Sequence, residues 1–332
     1  METVVSGIRP TGNLHLGNYF GAVRNFIKMQ HDANCYFFVA DYHSLTTHPH
    51  PDNLNATVKQ VLAENLACGL DPEICTLYVQ SDLPETAELY LLLNMLAYTG
   101  ELERSVSFKE KIRKDPDNVN AGLLTYPVLM AADILIHKAA KVPVGKDQEQ
   151  HLEYTRNYVN RFNYLYGVEY FQEPFAYNFG GQLVKVPGLD GSGKMGKSEA
   201  EGNAIFLIDE PEVIKKKVMR AVTDSGPTHM NQPKEVAIEN LFTLLKLVST
   251  TETVAHFETL YNNCTIRYGD MKKQLADDIN IFIAPIREKI KAIAADEKYI
   301  NKVVKMGAEK ARQSGRKTLA EVRNIIGIRS FF

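Results

Sequence analysis

The chain has 332 residues, of which 45% are hydrophobic and 23% charged, and its formal net charge at pH 7 is −2. Length and composition predict a globular protein with one large domain and a smaller one. Residues 1–15 show no export signal, and the most apolar run, residues 123–136, is interrupted by Thr125 and Asp133, so we expect neither export nor a membrane span. Four cysteines without CxxC spacing predict reduced thiols, a cytoplasmic protein and no metal site.

The first hundred residues alternate between strand and helix patterns. Three runs are short and apolar or β-branched, as strands are: residues 3–6, 35–40 and 76–79. Between them, apolar side chains recur at helical spacing, first over residues 19–27 and then up to a stop at Gly69. This alternation predicts an α/β fold with a doubly wound, Rossmann-like parallel sheet. Such sheets bind ligands beyond the carboxyl ends of their strands, where His15, Gly17 and residues 41–43 fall.

The remaining sequence becomes helical after a few more elements. Residues 101–120 are charged and irregular, and four elements follow them: a helix at 123–137, a strand at 142–144, a helix near Asp147 and a strand at 183–186. After Ile208 the pattern is helical to the end. The sequence therefore predicts an α/β domain over residues 1–205 and an all-helical domain over residues 206–332.

Two short stretches predict the chemistry. The first, His15-Leu16-Gly17-Asn18, places an imidazole and a glycine at the start of a helix, and the second, Lys194-Met195-Gly196-Lys197-Ser198, places two lysines on a glycine-rich loop. Backbone N–H groups at a helix start bind anions, glycine lets the backbone approach them, and lysines neutralise phosphate charge. We therefore predict a nucleoside triphosphate that is held from both ends.

The second stretch also satisfies the phosphate-loop pattern, because residues 191–198 are Gly-Ser-Gly-Lys-Met-Gly-Lys-Ser. A phosphate loop follows its strand directly and opens a helix. Here residues 187–190 separate the predicted strand from the loop, and residues 199–208 predict a turn and a short strand. Because this context does not fit, a P-loop NTPase is kept only as an alternative.

Charge is distributed unevenly along the chain. Residues 285–332 carry twelve Lys or Arg and five acids, a balance of +7 that leaves −9 for the rest. A basic run of helices is either a polyanion-binding surface or a solvated face. Both interpretations stay open on charge alone.

Together with Gly7-Ile8-Arg9-Pro10-Thr11-Gly12, the His15 stretch resembles the HIGH motif of class I aminoacyl-tRNA synthetases, and the lysine stretch resembles their KMSKS loop. Four further stretches narrow the resemblance to bacterial tryptophanyl-tRNA synthetases: Asp41-Tyr42-His43, Gly100-Glu101-Leu102-Glu103-Arg104, Ala131-Ala132-Asp133-Ile134-Leu135 and Pro143-Val144-Gly145-Lys146-Asp147-Gln148. The chain departs from that family at Gly196, where serine is usual. Lys146 stands where an acid is commoner, and Arg9 where many members have glutamine.

The resemblance implies that the chain activates L-tryptophan with ATP to tryptophanyl-adenylate and transfers it to tRNA(Trp), with Mg²⁺ bridging phosphate oxygens. It implies a homodimer formed around an insertion at residues 84–135. It also implies that residues 206–332 bind the anticodon, and that their last helix packs back on the catalytic domain. We expect four cations of the basic tail to face the tRNA: Lys310, Arg312, Arg316 and Lys317.

The resemblance also assigns roles to single residues. His15, Lys194 and Lys197 would meet the charge that develops on the leaving pyrophosphate. The ATP site would be formed by Arg9, Pro10, Thr11, Gly17, Asn18, Gly145, Lys146, Asp147, Val186, Lys194, Met195, Gly196, Lys197 and Ser198. The tryptophan site would be formed by Asp133, Tyr126, Met130, Gln148 and His43.

Asp133 and His15 each have a structural and a functional interpretation. A carboxylate in the apolar pattern around Asp133 is costly unless it is paired or used in chemistry. The resemblance places it opposite the indole N–H of tryptophan, a donor that needs an acceptor. His15 either is satisfied by the backbone at its helix start or donates to phosphate, and we favour the phosphate.

Three other hypotheses remain. A tyrosyl-tRNA synthetase shares the architecture but would surround a phenol with a different set of donors and acceptors. An adenylyl-transferring nucleotidyltransferase can carry the His-x-Gly motif without basic helices. A non-enzymatic relative that binds tRNA or introns would keep the basic helices, but it has no need of the lysine loop, which is intact here.

Overall fold

The computed structural model describes residues 1–145, 149–177, 185–191, 193–196 and 202–329. In this part of the chain, parallel strands form a five-stranded sheet in the order β3-β2-β1-β4-β5. The strands are β1 (Thr3–Ile8), β2 (Asn34–Val39), β3 (Thr76–Val79), β4 (Lys141–Val142) and β5 (Phe175–Ala176). The order reverses direction between β1 and β4, as in doubly wound sheets. The predicted fold class is confirmed.

Side chains of the central strands alternate between two cores, one on each face of the sheet. Val4 and Phe37 pack in one core, whereas their neighbours Val5 and Phe38 pack in the other. The helices that follow the strands in the α/β part are α1 (Leu16–Asn18), α2 (Arg24–Met29), α3 (Asp41–Ser44), α4 (Pro51–Cys68), α5 (Glu85–Asn94), α6 (Thr99–Leu102), α7 (Val106–Lys114), α8 (Ala121–Leu135) and α9 (Glu149–Tyr166). A π-helical turn, Tyr19–Val23, joins α1 to α2.

Local signals placed most of these elements correctly. Helix α4 begins with a proline at its first turn and ends at Gly69, whose φ of 119° suits glycine in a left-handed cap. The structure differs over residues 101–120, which contain the end of α6 and all of α7 rather than a wholly irregular segment. Strand β5 was not predicted, because two residues give no periodicity. Of the strand predicted at residues 183–186, the first two residues lie outside the described part of the chain, and the other two, Lys185 and Val186, are not in a strand.

The C-terminal part is helical, as the sequence predicts. Its helices are α10 (Pro211–Met219), α11 (Val236–Val248), α12 (Thr251–Asn262), α13 (Tyr268–Ala295) and α14 (Glu297–Ile326). One apolar core joins Leu16 of α1 and Met195 of the lysine loop to side chains of α10, α11 and α13. The two predicted motifs therefore share a core with the helical part.

The last helix, α14, packs against the sheet. A β-carbon on Gly307 would lie 1.8 Å from the carbonyl oxygen of Leu77 in β3, so only glycine permits this approach. Three of the four cations expected to face tRNA make hydrogen bonds that attach α14 to the α/β part. Lys310 Nζ donates to Pro72 O at 3.3 Å, Arg312 Nε to Asp82 O at 2.6 Å, and Arg316 Nε to Glu85 Oε1 at 2.8 Å. Lys310, Arg316 and Lys317 are exposed.

A series of hydrogen bonds through the buried His137 also connects α14 to the sheet. His137, which follows α8, is 5% exposed and stacks on Tyr36 with ring centroids 4.0 Å apart. Its Nε2 lies 3.0 Å from the Tyr78 hydroxyl, and its Nδ1 lies 3.1 Å from Ser314 Oγ. Burial lowers the pKa of His137 to about 3, so the ring stays neutral at physiological pH.

Candidate active site

A cavity of about 390 Å³ opens at the carboxyl ends of β1, β2 and β4. It lies where the sheet order reverses, which is where doubly wound sheets bind ligands. Six of its lining residues were predicted as site residues from the sequence: Arg9, His43, Tyr126, Met130, Asp133 and Gly145. They come from the segments that follow β1 and β4 and from the helices α3 and α8, so the fold assembles them from four separate parts of the chain.

Asp133 of α8 presents a buried carboxylate to this cavity and is 2% exposed. Its Oδ2 lies 2.8 Å from Nε2 of His43. Nε2 of Gln80 donates to Oδ1 at 2.7 Å and to Oδ2 at 2.9 Å. A carboxylate accepts about four hydrogen bonds in all, two at each oxygen, so Oδ1 keeps the capacity for one more donor.

Burial and hydrogen bonding shift the pKa of Asp133 in opposite directions. Burial raises the pKa of Asp133, and the hydrogen bonds from His43 and Gln80 oppose that shift. Gln80 was missed from the sequence. The available signal was its position directly after β3, at the carboxyl edge of the sheet. Its Oε1 atom is buried and has no hydrogen-bond partner among the described residues.

Tyr126 lies one turn before Met130 on α8 and joins three elements. Its hydroxyl hydrogen-bonds to Ser107 Oγ of α7 and to His151 Nε2 of α9, each at 2.5 Å. Lys111 Nζ lies 3.9 Å from the centroid of the Tyr126 ring, a cation–π contact. Helix α7 therefore brings Ser107 and Lys111 to the cavity, which the charged sequence of this segment did not reveal.

Among the described residues, two cations line the cavity, Arg9 and Lys111. Burial, with the charge of Arg9 as a smaller cause, lowers the pKa of Lys111 to about 8. Burial also lowers the pKa of Arg9. An anion bound between them would offset the cost of removing both cations from water. The arrangement therefore suits a ligand with an apolar ring at one end and a polyanion at the other.

His15 is the N-cap of α1 and forms a capping box with Asn18. The Asn18 N–H donates to His15 Nδ1 at 3.2 Å, and the His15 N–H donates to Asn18 Oδ1 at 3.1 Å. Because Nδ1 accepts, the proton of the neutral ring lies on Nε2. A β-carbon on Gly17 would lie 2.8 Å from His15 Nδ1 and Cε1, so glycine at this position leaves room for the ring.

The described part of the lysine loop lies beside this cap. The Met195 N–H donates to Val186 O at 2.8 Å, and Met195 is 1% exposed, whereas Lys194 is exposed. A β-carbon on Gly17 would lie 3.4 Å from the Met195 Cβ. The two motifs that the sequence analysis singled out are therefore adjacent in the fold.

The other predicted site residues lie outside the described part of the chain or in the loop after β1. Five of them lie outside the described residues: Lys146, Asp147, Gln148, Lys197 and Ser198. Pro10 is buried and Thr11 is exposed in the loop after β1, where the Thr11 N–H donates to Arg9 O at 2.9 Å.

The segments described here contain no group of three His, Cys, Asp or Glu side chains arranged to hold a metal ion. None of their helices has the length and apolarity needed to cross a bilayer.

The chain is similar to known proteins along nearly its whole length. Residues 2–284 match the family described as tRNA synthetases class I (W and Y). The tryptophan–tRNA ligase of Porphyromonas gingivalis is 65% identical over 329 residues, which cover 99% of this chain and 100% of that protein. The crystal structure of Campylobacter jejuni tryptophanyl-tRNA synthetase complexed with ADP and tryptophan is 33% identical, with a TM-score of 0.88 and coverage of 98% of this chain and 99% of that chain. The Mycoplasma pneumoniae tryptophanyl-tRNA synthetase structure is 31% identical, with a TM-score of 0.83 and coverage of 99% of each chain.

Proposed function

Since the chain belongs to the class I tRNA synthetases for tryptophan and tyrosine, we propose that its cavity between β1 and β4 is where tryptophan is joined to ATP. The chain activates L-tryptophan with ATP and transfers it to tRNA. The buried Asp133 carboxylate carries the proposal for the cavity. Held by His43 and Gln80, it keeps one acceptor site for the indole N–H.

The first half of the reaction needs no protein nucleophile. An oxygen of the tryptophan carboxylate attacks the α-phosphorus of ATP, a new P–O bond forms, and pyrophosphate leaves with the electrons of the broken bond. The second half transfers the tryptophanyl group to a ribose hydroxyl of the terminal tRNA adenosine and releases AMP. The protein therefore acts by positioning both reactants and by stabilising the charge on pyrophosphate.

The tryptophan end of the site would be formed by α3 and α8, with Gln80 after β3 holding Asp133. Asp133 would accept the indole N–H, and Met130 and His43 would line the pocket around the ring. The Tyr126 hydroxyl, fixed by Ser107 and His151, would be within reach of the substrate amino group. Gln148 belongs to the same proposal by resemblance alone.

The nucleotide end combines backbone groups with cations. Arg9 and Lys111 would meet the phosphates inside the cavity, and Gly145 would let the backbone approach the nucleotide. His15 Nε2 would donate to the phosphate oxygens that gain charge in the transition state, and Lys194 and Lys197 would neutralise the leaving pyrophosphate. Mg²⁺ would enter bound to phosphate oxygens and water, as part of the ATP substrate.

Exposed apolar side chains on and beside α5 suggest a surface through which the protein would assemble into a dimer. Apolar side chains are exposed on and beside α5, among them Leu91 at 55% and Met95 at 73%. Their neighbours Leu89 and Leu93 are buried against α8. We propose that the exposed side of this segment pairs with a second copy of the chain. We also propose that the helical part contacts tRNA(Trp), and that the protein works in the cytoplasm.

Amino-acid-dependent exchange of pyrophosphate into ATP tests the substrate assignment. Tryptophan is expected to support exchange, whereas tyrosine and phenylalanine are expected to lose to it by several orders of magnitude. Phenylalanine brings no donor to the remaining acceptor site of Asp133, and tyrosine brings a smaller ring with a hydroxyl of different reach. Binding can be followed in parallel, since the chain contains no tryptophan and selective excitation of the indole substrate meets no background from protein tryptophan. A preference for tyrosine would refute the role of Asp133.

A further inference from the structure

His15 is held in place by a segment that follows the lysine loop. The Leu16 N–H donates to Ile205 O at 3.0 Å, and the Leu207 N–H donates to Leu14 O at 2.9 Å. His15 and Phe206 face each other in this short antiparallel pairing, and their ring centroids are 6.3 Å apart in an edge-to-face arrangement. The position of the imidazole therefore depends on the backbone around Phe206.

Asp209 and Lys217 fix that backbone. Asp209 Oδ2 accepts from the Phe206 N–H at 2.8 Å and from Lys217 Nζ at 2.7 Å. Lys217 Nζ also donates to Ala204 O at 2.9 Å and lies 4.6 Å from the centroid of the Phe206 ring. The two side chains are 12% and 17% exposed, so water screens the pair less than it would a surface ion pair.

The same segment is attached to two helices of the C-terminal part and to the glycine-rich loop. Lys217 belongs to α10, and Arg287 of α13, which is 5% exposed, donates from Nη1 to Asp209 O at 2.8 Å. At the other end, the Leu189 N–H donates to Asn203 O at 3.2 Å. Residues 203–209 thus link α10, α13 and the start of the loop to His15.

We propose that Asp209 and Lys217 are positioning residues for adenylate formation. They hold the Phe206 segment so that His15 meets the ATP phosphates. Because the same segment is bonded to α10 and α13, the position of the imidazole depends on the positions of these two helices. The inference rests on the role proposed for His15. Neither side chain lines the cavity of about 390 Å³, so their loss should slow the reaction without weakening tryptophan binding.

The chain offers a matched control for Lys217. Lys234 Nζ lies 2.6 Å from Glu258 Oε2, with side chains 14% and 26% exposed, and 4.7 Å from the centroid of the Phe242 ring. This pair has the same chemistry as the Lys217 pair, but its contacts lie within the helical part. Replacing each lysine by methionine removes the charge and keeps most of the side-chain volume.

Pyrophosphate exchange and substrate fluorescence together test the proposal. Lys217→Met should lower kcat by roughly 10- to 100-fold, as small misplacements of reacting groups do, and leave the Kd for tryptophan within about twofold of the wild type. Lys234→Met should keep kcat within about twofold. Equal losses of kcat in both variants would refute the proposal, because an effect on folding alone would not distinguish the two lysines.

A double-mutant cycle with His15→Ala tests whether Lys217 acts through the imidazole. If it does, Lys217→Met should change kcat less than about threefold in the His15→Ala background. A full 10- to 100-fold effect there would refute positioning of His15 while leaving the proposed role of His15 intact. A near-normal kcat of the single variant His15→Ala would refute both the positioning of His15 by Lys217 and the proposed role of His15 itself.

If Lys217→Met does not fold, Asp209→Asn gives the same comparison. Asparagine keeps an acceptor for the Phe206 N–H and loses only the attraction to Lys217. A smaller reduction of kcat with unchanged Kd for tryptophan is expected. Unchanged kcat in Asp209→Asn would overturn the proposal.

Discussion

Gly17 and Met195 lie against each other where the two sequence motifs meet: a β-carbon on Gly17 would be 3.4 Å from the Met195 Cβ. Met195 is buried, and its N–H is bonded to Val186 O. The backbone next to Lys194 is therefore fixed beside the helix start that carries His15. The side chain of Lys194 projects from this fixed point and is exposed.

Removal of the Lys194 charge should act mainly on the transition state, where pyrophosphate charge develops. We expect Lys194→Ala to lower kcat by roughly two to three orders of magnitude, with a smaller change in KM for ATP. The measurement is steady-state pyrophosphate exchange over a range of ATP concentrations. Lys302→Ala, at an exposed position on α14, is the control and should behave as the wild type. A Lys194→Ala variant with normal kcat would contradict the assignment.

Asp133 should determine the preference for tryptophan. Asp133→Ala removes the acceptor for the indole N–H, a group that phenylalanine does not have. We therefore expect kcat/KM to fall much more for tryptophan than for phenylalanine, so that the preference for tryptophan becomes smaller. Comparison of kcat/KM for tryptophan, tyrosine and phenylalanine measures this. Val128→Ala, a buried change on the same helix away from the cavity, should reduce stability and keep the preference. Unchanged discrimination in Asp133→Ala would return this residue to a structural role.

Lys111 should make ATP use depend on pH. Its pKa of about 8 means that the cation is present below pH 8 and lost above it. We therefore expect kcat/KM for ATP to fall several-fold between pH 7 and pH 9, because this parameter reports groups of the free enzyme. Lys111→Arg should flatten the fall, since arginine stays charged. Lys109→Arg, at an exposed position on the same helix, should keep it. A wild-type profile without this fall would exclude Lys111 from the phosphate site.

His137 should make folding stability depend on acid pH. Its pKa is about 3 in the fold and about 6.5 in an unfolded chain. As the pH falls from 6.5 towards 3, only the unfolded state takes up this proton, so the free energy of unfolding decreases by up to about 1.4 kcal/mol per pH unit. Urea unfolding between pH 4.5 and pH 7 should show a shallower slope for His137→Gln. The same change at the exposed His256 should leave the slope as it is, and equal slopes in all three proteins would refute the account.

Gly307 should be required for the docking of α14. A methyl group there would collide with the Leu77 carbonyl oxygen, so Gly307→Ala should lower the free energy of unfolding by about 1–3 kcal/mol. Gly269→Ala is the matched change in α13, at an exposed residue whose β-carbon would meet nothing within 4 Å. It should stabilise by up to about 1 kcal/mol, because alanine favours helix. Denaturant titrations of the two variants should therefore shift in opposite directions.

The sequence by itself determined the α/β alternation, the strand at Thr76–Val79 and the parallel sheet that follows from them. These features depend on the period of apolar residues, which is a short-range property of the chain. It also indicated Asp133, since a carboxylate in an apolar helix must be paired or used. Arg9, His43, Tyr126 and Met130 followed from resemblance, and the structure brings all of them to one cavity.

Only the tertiary structure decided which side chains meet. Lys111 lines the cavity from α7, and Gln80 donates to Asp133 from the segment after β3. The sequence around each of these residues does not show which partner its side chain meets. The charge of the tail left a polyanion-binding surface and a solvated face open, and it did not show that Arg312 and Arg316 bond to the segment after β3 and to α5. A cation's partner is set by the packing of elements distant in sequence, because charge count does not specify geometry.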